Sequence, residues 1–500
     1  MEDSKKSIWI PLFLAIATAF GMIVGYKMNG GSLVNIVNTS ADADGNLVPF
    51  AQSGKLDQIM GFISSKYIYN DSLDKIQNDA IQAIMGDLDP HSIYISNEEI
   101  QGVTEDLEGN FEGIGVEFMN INDTINVITA ISGGPSELVG IQSGDKIMMI
   151  GDSLVAGKKL ENRDIIKKLK GPKGTKVNVM IKRGNQPKLI PFTIIRDKIP
   201  MQSVDAAFML DDKNGYIKIN RFAATTYKEF MEHLEVLITK HKMQNLVIDL
   251  RQNPGGYLDQ AVNILSQLFR DRDRLMVYTK GRKGKRTDFE TSGKAFFDIK
   301  NISVLIDEGS ASASEIVAGA IQDWDRGVIV GRRSFGKGLV QEQFELADGS
   351  AVRLTTSKYY TPSGRCIQKS YDDKSHYDDD LSTRFDKGEL TDVNIAKKAV
   401  GKDTTKYQTA SGRVVYGGGG IMPDVFVPID KGLLQEEALI MRSYISTFAY
   451  QYVNKNKATL AKDVDSFQKN FNVDDKVWKE LVDFVISKHK TIDKKFDFNK

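Results

Sequence analysis

The sequence predicts an α/β fold for the central part of the chain, with helical regions before and after it. This prediction rests on three short apolar runs with the composition of β-strands, each followed by a segment whose apolar residues recur at helical spacing. The strand runs cover residues 216–219, 246–250 and 302–306, and the helical segments cover 227–238, 258–269 and 316–324. Buried strands that alternate with helices are typical of α/β domains, so we expect one such core over residues 198–430.

Composition restricts the classes of function. The 500 residues are 41% hydrophobic and 26% charged, which is ordinary for globular proteins and suggests roughly two to four domains. Lys plus Arg and Asp plus Glu both number 66, so no charge excess suggests a nucleic-acid partner. Cys366 is the single cysteine, which excludes an internal disulfide, and no C-x-x-C or H-E-x-x-H motif supports a metal site. We therefore expect no metal and no other cofactor.

The N-terminal part of the sequence predicts a membrane anchor. Residues 8–26 are uncharged, largely apolar and about long enough to span a bilayer, and Lys5 and Lys6 favour a cytoplasmic N-terminus. A cleaved signal peptide is the alternative, but the apolar run is longer than usual and no clear cleavage site follows. We predict a cytoplasmic stub and signal-anchor helix over residues 1–30, a linker over 31–54 and a helical region over 55–102.

The strongest chemical signal lies between residues 302 and 341. Ser310, Ser312 and Ser314 come where the helix after the third strand run begins, and Lys337 stands between two glycines in the next loop. A serine hydroxyl is a weak nucleophile until a neighbouring base removes its proton. The chain has five histidines and none between positions 241 and 376, so a lysine kept neutral by burial is the candidate base.

Two other interpretations of this stretch are possible. Residues 312–315 also fit a capping box, in which a serine only caps the helix. Residues 331–337 come within one residue of a phosphate-binding loop, but Gly338 stands where Ser or Thr would bind magnesium, and a strand pattern follows. We reject the nucleotide-binding interpretation. Capping and catalysis are compatible, because Ser310 or Ser314 can cap while Ser312 reacts.

Residues 309–341 closely resemble the signature of the carboxyl-terminal processing peptidases, also called tail-specific proteases, and the resemblance extends over about residues 55–430. It implies a crotonase-like ββα core, with Ser312 as nucleophile, Lys337 as general base and Gln341 as the residue that orients the lysine.

Residues 249–256, D-L-R-Q-N-P-G-G, resemble a second signature of the same family. This resemblance implies that the backbone N–H groups of Gly255, Gly256 and Ala313 form the oxyanion hole. The alternative is that the glycines only permit a tight turn between strand and helix.

Residues 103–197 resemble a PDZ domain inserted before the core. Gly113, Ile114, Gly115 and Val116 match the loop whose backbone N–H groups bind the terminal carboxylate of a peptide. The strand that starts at Val116 would then pair with the bound peptide, and residues 161–169 would form the helix beside it.

Two further regions carry no chemical signature. Residues 370–403 are strongly charged and are expected to form a solvated insertion in the core. Residues 431–500 are expected to form a helical region whose apolar positions pack on the core or on another subunit of a homo-oligomer.

Together these observations predict a membrane-anchored serine endopeptidase that grips protein or peptide substrates by their exposed C-termini and cleaves them with a Ser–Lys dyad. The resemblance implies a place in the inner (cytoplasmic) membrane of a bacterium, with the catalytic part facing the periplasm or the cell exterior. Two alternatives are a non-catalytic PDZ adapter or chaperone, which binds tails without cutting them, and an acyl-CoA enzyme with the same core.

Overall fold

The computed structural model describes residues 39–41, 47–49, 54–69, 72–371, 377, 379–398, 405–430, 432, 435–460 and 463–488. The chain divides into two units, residues 1–87 and 88–500. The expected anchor at residues 8–26 lies outside the described residues. Among the helices that are described, none combines the length and the apolarity that crossing a bilayer requires.

The described residues of the first unit form an antiparallel strand pair and two helices. Ser72 begins the second helix by accepting a hydrogen bond from the backbone N–H of Lys75, as an N-cap serine commonly does. The elements are β1 (Thr39–Ala41), β2 (Leu47–Pro49), α1 (Lys55–Lys66) and α2 (Leu73–Gly86).

The second unit begins with a strand, a helix and then a small antiparallel sheet. In the small sheet the strands lie in the order Ile190–Ile195, Lys176–Lys182, Lys146–Ile150, Ile125–Ala130 and Val116–Asn120. The strand that starts at Val116 therefore lies at an edge. Ile125, Val127, Ile147 and Ile181 form part of its fully buried apolar core. The elements are β3 (Ile93–Ile95), α3 (Asn97–Glu108), β4 (Asn110–Gly113), β5 (Val116–Asn120), β6 (Ile125–Ala130), α4 (Pro135–Leu138), β7 (Lys146–Ile150), β8 (Ser153–Leu154), α5 (Asn162–Leu169), β9 (Lys176–Lys182) and β10 (Ile190–Ile195).

The predicted α/β content of the core is confirmed. Its main sheet has the strand order Val204–Met209, Asn214–Ile219, Asn245–Asp249, Ile302–Ile306, Val328–Gly331 and Val425–Phe426. The first of these strands is antiparallel to its neighbour, and the other five are parallel. The strands Asn245–Asp249 and Ile302–Ile306 are central, because each pairs with a neighbour on both sides, and their alternate apolar residues Leu246, Ile248, Ile302, Val304 and Ile306 lie in the main core. The elements are β11 (Asp197–Pro200), β12 (Val204–Met209), β13 (Asn214–Ile219), α6 (Thr226–Thr239), β14 (Asn245–Asp249), α7 (Leu258–Leu268), β15 (Arg272–Gly281), β16 (Arg286–Ser292), β17 (Ile302–Ile306), α8 (Ala313–Asp323), β18 (Val328–Gly331), β19 (Leu339–Glu345), β20 (Ala351–Tyr360), α9 (Asp380–Asp386), α10 (Val393–Lys398), β21 (Lys406–Gln408), β22 (Val414–Tyr416) and β23 (Val425–Phe426).

Strand order brings separate loops of the core together. β14 and β17 are parallel neighbours, with Leu246 opposite Ile302, so the loops that follow them leave the same edge of the sheet. A second sheet, of order β16-β15-β20-β19 with β3 beside β20, pairs its strands antiparallel. In that sheet Tyr359 donates its backbone N–H to Gly338, next to the candidate base.

The charged insertion is not simply solvated. Arg384 and Glu389 are 4% and 5% exposed at their side chains, and the Glu389 carboxylate accepts hydrogen bonds from both Arg333 and Arg384. Arg384 also donates to the backbone carbonyls of Arg333 and, at 3.4 Å, Ser334. The expectation of a solvated insertion was therefore wrong for these residues, because they pair with each other and Glu389 also pairs with Arg333 outside the insertion. They hold the loop that leads to Lys337.

The C-terminal helices α11 (Glu436–Asn456), α12 (Val464–Asn470) and α13 (Asp475–Lys488) form their own small apolar cluster around Met441, Leu481 and Val485. They contact the small sheet, since the Tyr450 hydroxyl lies 3.4 Å from the carbonyl of Val127 and donates to it.

Glu389→Gln should destabilise the core strongly. The substitution leaves two buried guanidinium groups without their shared anion, and breaking a buried ion pair in this way costs about 3–5 kcal/mol. Urea denaturation measures the loss. Glu232→Gln is the matched control, because Glu232 is an exposed partner of Lys228 at 3.9 Å and should lose at most about 0.5 kcal/mol. Equal small losses in both variants would contradict the clamping role of Glu389.

Candidate active site

Ser312 lies between β17 and α8 in a strained backbone conformation. Its φ is 54° and its ψ is −114°, outside the regions that non-glycine residues usually occupy. The neighbouring serines have structural partners, since Ser310 Oγ donates to the carbonyl of Leu250 and Ser314 Oγ to that of Asn253. Within the described part of the chain, Ser312 Oγ faces the backbone N–H of Glu315 in a capping box and has no other hydrogen-bond partner. The capping role expected for Ser310 or Ser314 is not observed, because both hydroxyls donate to carbonyls after β14 and Ser312 itself is the N-cap residue of α8.

Lys337 lies in the loop between β18 and β19. Its Nζ forms no hydrogen bond or ion pair with any residue that the structure describes. Burial lowers the pKa of Lys337, the Arg353 guanidinium lowers it further, and the carboxylates of Glu315 and Asp89 partly oppose these effects. This is the environment that favours a neutral amine.

One carboxylate joins the two loops. Glu315 Oε2 accepts the backbone N–H of Ser312 and that of Lys337, each at 2.9 Å. Its Oε1 accepts the N–H of Gly336 at 2.7 Å and the hydroxyl of Ser334 at 2.5 Å. The carboxylate thus bridges the start of α8 and the loop before β19.

A tyrosine joins the same loops on their carbonyl side. The Tyr359 hydroxyl lies 3.1 Å from the carbonyl oxygen of Ser312 and 2.6 Å from that of Lys337. Burial raises the pKa of Tyr359, so its hydroxyl keeps the proton that it donates. The backbones of Ser312 and Lys337 are therefore neighbours, although their side chains share no hydrogen bond in this conformation. Catalytic hydrogen bonds are often long before substrate binds.

The glycine loop after β14 packs directly against the serine. A Cβ on Gly255, whose φ is 98°, would lie 2.7 Å from Ser312 Cβ, and one on Gly256, whose φ is 142°, would lie 2.2 Å from the carbonyl oxygen of Phe222. Only glycine fits at either position. The N–H of Gly255 already donates to Asn253 Oδ1. The N–H groups of Gly256 and Ala313 have no acceptor among the described residues.

Ser312 and Gln341 both line a cleft of about 660 Å³. Its apolar lining residues are Leu258, Phe289, Ile316, Leu339 and Val340. The cleft is large enough for several side chains of an extended peptide, and the hydroxyl of Ser312 is available at its wall.

Gln341 and His91 have partners away from Ser312. Gln341 Nε2 donates to Thr355 Oγ1 at 3.3 Å. His91 Nε2 lies 2.6 Å from the Tyr377 hydroxyl, and burial, together with the charge of Lys337, lowers the pKa of His91 to about 4. His91 is therefore a neutral residue near the base and has no hydrogen bond to the serine.

The predicted tail-binding residues lie between β4 and β5. Gly113 ends β4 and Val116 begins the edge strand β5. The carbonyl oxygen of Ile114 accepts both the N–H and the hydroxyl of Ser136, and Gly115 has a φ of 69°. These bonds fix the loop at the end of an edge strand.

Sequence reasoning missed the roles of Glu315 and Tyr359. Glu315 was visible only as the last residue of a possible capping box, and its bonds to residues 334, 336 and 337 have no local signal. Tyr359 appeared only as an aromatic residue at the end of an alternating strand.

Residues 213–374 match peptidase family S41, and residues 437–500 match a family of unknown function. The chain is 34% identical over 323 residues to the carboxy-terminal-processing protease of Bartonella bacilliformis, covering 64% of this chain and 73% of that protein. It is 35% identical over 323 residues to a probable CtpA-like serine protease of Staphylococcus aureus, and the match covers 63% of each chain. Among solved structures, a photosystem II D1 C-terminal processing protease is 26% identical, with a TM-score of 0.37, and the match covers 63% of this chain and 84% of that one.

The family match and the relative of which this chain covers 73% place the chain in the class of the peptidases. Within that class, the chain belongs to peptidase family S41, the family of the carboxy-terminal-processing proteases. The resemblance noted from residues 309–341 is thereby confirmed. The chain spans 63% of the length of the Staphylococcus aureus relatives.

The buried Glu315 should make stability depend on pH. Burial raises its pKa from 4.5 to about 7 despite hydrogen bonds from Ser334 and from three backbone N–H groups. The folded state thus favours the protonated acid, so this contribution to stability is complete below pH 4.5 and is lost as the pH rises through about 7. The free energy of unfolding of the wild type, minus that of Glu315→Gln, should fall by about 3 kcal/mol between about pH 4.5 and 7.5.

The comparison between variants isolates Glu315. The lowered pKa of His91 gives a slope of the opposite sign below pH 6.5, but it is present in both proteins and cancels. A difference that stays flat over this pH range would show that Glu315 titrates at its ordinary value.

Proposed function

We propose that this chain is a serine endopeptidase in which Ser312 attacks the scissile carbonyl and Lys337 removes the proton of its hydroxyl. The observation that carries the proposal is that Glu315 and Tyr359 bind both loops, while Ser312 Oγ and Lys337 Nζ form no hydrogen bond with any other side chain that the structure describes. The lowered pKa of Lys337 supports a neutral amine that can accept a proton.

In the proposed reaction, each proton and each bond is accounted for by Ser312, Lys337, the substrate and water. The proton of Ser312 Oγ passes to Lys337 Nζ as Oγ bonds to the substrate carbonyl carbon, and the negative charge develops on the carbonyl oxygen. The N–H groups of Gly256 and Ala313 are the proposed donors to this oxyanion, because the Gly255 N–H is already engaged with Asn253. The lysine then returns its proton to the leaving amine, and water hydrolyses the acyl-enzyme.

We further propose that residues 103–197 are a PDZ domain that binds substrate tails. The support is the exposed edge of β5, which can pair with an extended peptide, and the Gly113–Val116 turn before it. In the same proposal, residues 8–26 anchor the chain in the cytoplasmic membrane, and the catalytic part faces the periplasm or the cell exterior.

Ser312→Ala and Lys337→Ala should each lower cleavage of a quenched peptide by at least about 1,000-fold, because each removes a reacting group. Circular dichroism should be unchanged. Ser292→Ala and Lys358→Ala remove exposed groups of the same chemistry and should leave the rate unchanged. The wild-type rate should rise with pH through an apparent pKa below 10.5, since only the neutral amine is a base. Tail binding without any cleavage would instead identify a non-catalytic adapter.

Tail recognition should depend on the terminal carboxylate and on Gly115. On the inactive Ser312→Ala protein, amidation of a peptide C-terminus should weaken binding at least about 10-fold, because charge-assisted hydrogen bonds are lost. Gly115→Ala should weaken binding of the free acid too, since its Cβ would lie 3.0 Å from Ile199 Cδ1. Gly133→Ala is the matched control, with a similar φ of 73° and no atom within 4 Å of the added Cβ. Equal affinity for acid and amide would refute carboxylate recognition.

A further inference from the structure

A chain of hydrogen bonds leads from Gln341 away from the cleft to Asp89. Gln341 Nε2 lies 3.3 Å from Thr355 Oγ1, and Thr355 Oγ1 lies 3.0 Å from Asp89 Oδ1. Gln341 is on β19 and Thr355 is opposite it on β20. Asp89 comes from the segment just before β3, which pairs with β20 from Ile93 to Ile95.

Asp89 is the fixed end of this chain. Its carboxylate accepts the Ser92 hydroxyl at 2.5 Å, the N–H of His91 at 2.8 Å and the N–H of Ser92 at 3.0 Å. Burial acts to raise the pKa of Asp89, but these bonds and the one from Thr355 more than offset it and lower the pKa. An ionised carboxylate has no proton and only accepts.

Because Asp89 only accepts, it sets the donor and the acceptor of every hydrogen bond from Asp89 through Thr355 to Gln341. Thr355 has one hydroxyl proton, and it is donated to Asp89, so the same oxygen can only accept from Gln341. The Gln341 side chain must therefore turn its NH₂ group towards Thr355, which leaves its carbonyl oxygen free on the other side. The hydrogen-bond network thus determines which end of the amide faces Thr355.

We propose that Asp89 and Thr355 are positioning residues that fix the side-chain amide of Gln341, so that its carbonyl oxygen is presented to the amine of Lys337. This inference rests on the proposed function. When Lys337 takes the proton of Ser312 it becomes an ammonium group, which has only donors. An amide oxygen can accept from it, whereas a reversed amide would oppose it with N–H groups.

A purely structural role for Thr355 and Asp89 is the competing explanation. The strand pairing of β3 with β20 and the bond from the Thr355 N–H to Ser92 Oγ, at 3.1 Å, already attach residues 92–95 to the sheet. If the bond between Thr355 and Asp89 is only structural, its loss lowers the activity by the same factor with and without the Gln341 side chain. Positioning acts only through Gln341, and a double-mutant cycle separates the two.

The experiment measures kcat and KM for a quenched peptide with Thr355→Val and Thr355→Ser, each in the wild type and in Gln341→Ala. Valine keeps the shape and lacks the hydroxyl, so we expect kcat to fall about 10-fold with KM unchanged. Serine restores the hydroxyl and should stay within about 3-fold of the wild type. In the Gln341→Ala background, Thr355→Val should cause no further loss.

Asp89 supplies a second pair of variants in case Thr355→Val does not fold. Asp89→Asn keeps an acceptor for Thr355 and should retain most of the wild-type kcat, whereas Asp89→Ala frees the threonine proton and should lower kcat as valine does. The positioning role would be overturned if Thr355→Val or Asp89→Ala lowered kcat by the same factor with and without the Gln341 side chain. It would also be overturned if neither substitution lowered kcat. If the wild type cleaves no peptide, the proposed function fails first, which is distinguishable from an active enzyme without the coupling.

Discussion

The site depends on one buried carboxylate that accepts hydrogen bonds from two separate loops. Glu315 binds the N–H of Ser312 on its own helix and the N–H groups of Gly336 and Lys337 from the loop before β19. Backbone donors buried without an acceptor are costly, so these loops cannot separate without leaving several N–H groups unpaired. The Tyr359 hydroxyl repeats the constraint on the carbonyl side. The two loops are therefore best regarded as one structural element.

This element holds Ser312 in a conformation that a free chain would avoid. A φ of 54° at a serine persists only where the surroundings determine it. The surroundings here are the bonds of Ser310 and Ser314 to the loop after β14, together with Gly255, which permits that loop to approach the serine. Ser312 is thereby held as the N-cap residue of α8, where its Oγ faces the backbone N–H of Glu315 in a capping box.

Local pattern was sufficient to predict the parts of the fold that are local. The strands at residues 246–250 and 302–306 and the helices after them follow from apolar runs and spacing, and the positions of Ser312 and Lys337 follow from a family signature. Three contacts could not be predicted, because each joins residues far apart in sequence. They are the bonds of Glu315 to residues 334, 336 and 337, the bonds of the Tyr359 hydroxyl, and the contact of Glu389 with Arg333. Charge was also misleading at residues 384–389, since a charged stretch looks solvated until its partners are known.

The bonds of Glu315 and Asp89 also explain why the pKa of Lys337 is lowered although both carboxylates act to raise it. Glu315 and Asp89 both raise the pKa of Lys337, and an ion pair with either would favour the charged amine. Neither forms one, because Glu315 is engaged with four donors and Asp89 with the donors of His91, Ser92 and Thr355. Their acceptor capacity is thus largely used by groups that carry no net charge. Burial and the nearby Arg353 then outweigh the two anions, and the pKa of Lys337 falls. The lowering of the Lys337 pKa is consequently a property of the assembled loops and of β20, and the glycines beside Lys337 could not produce it alone.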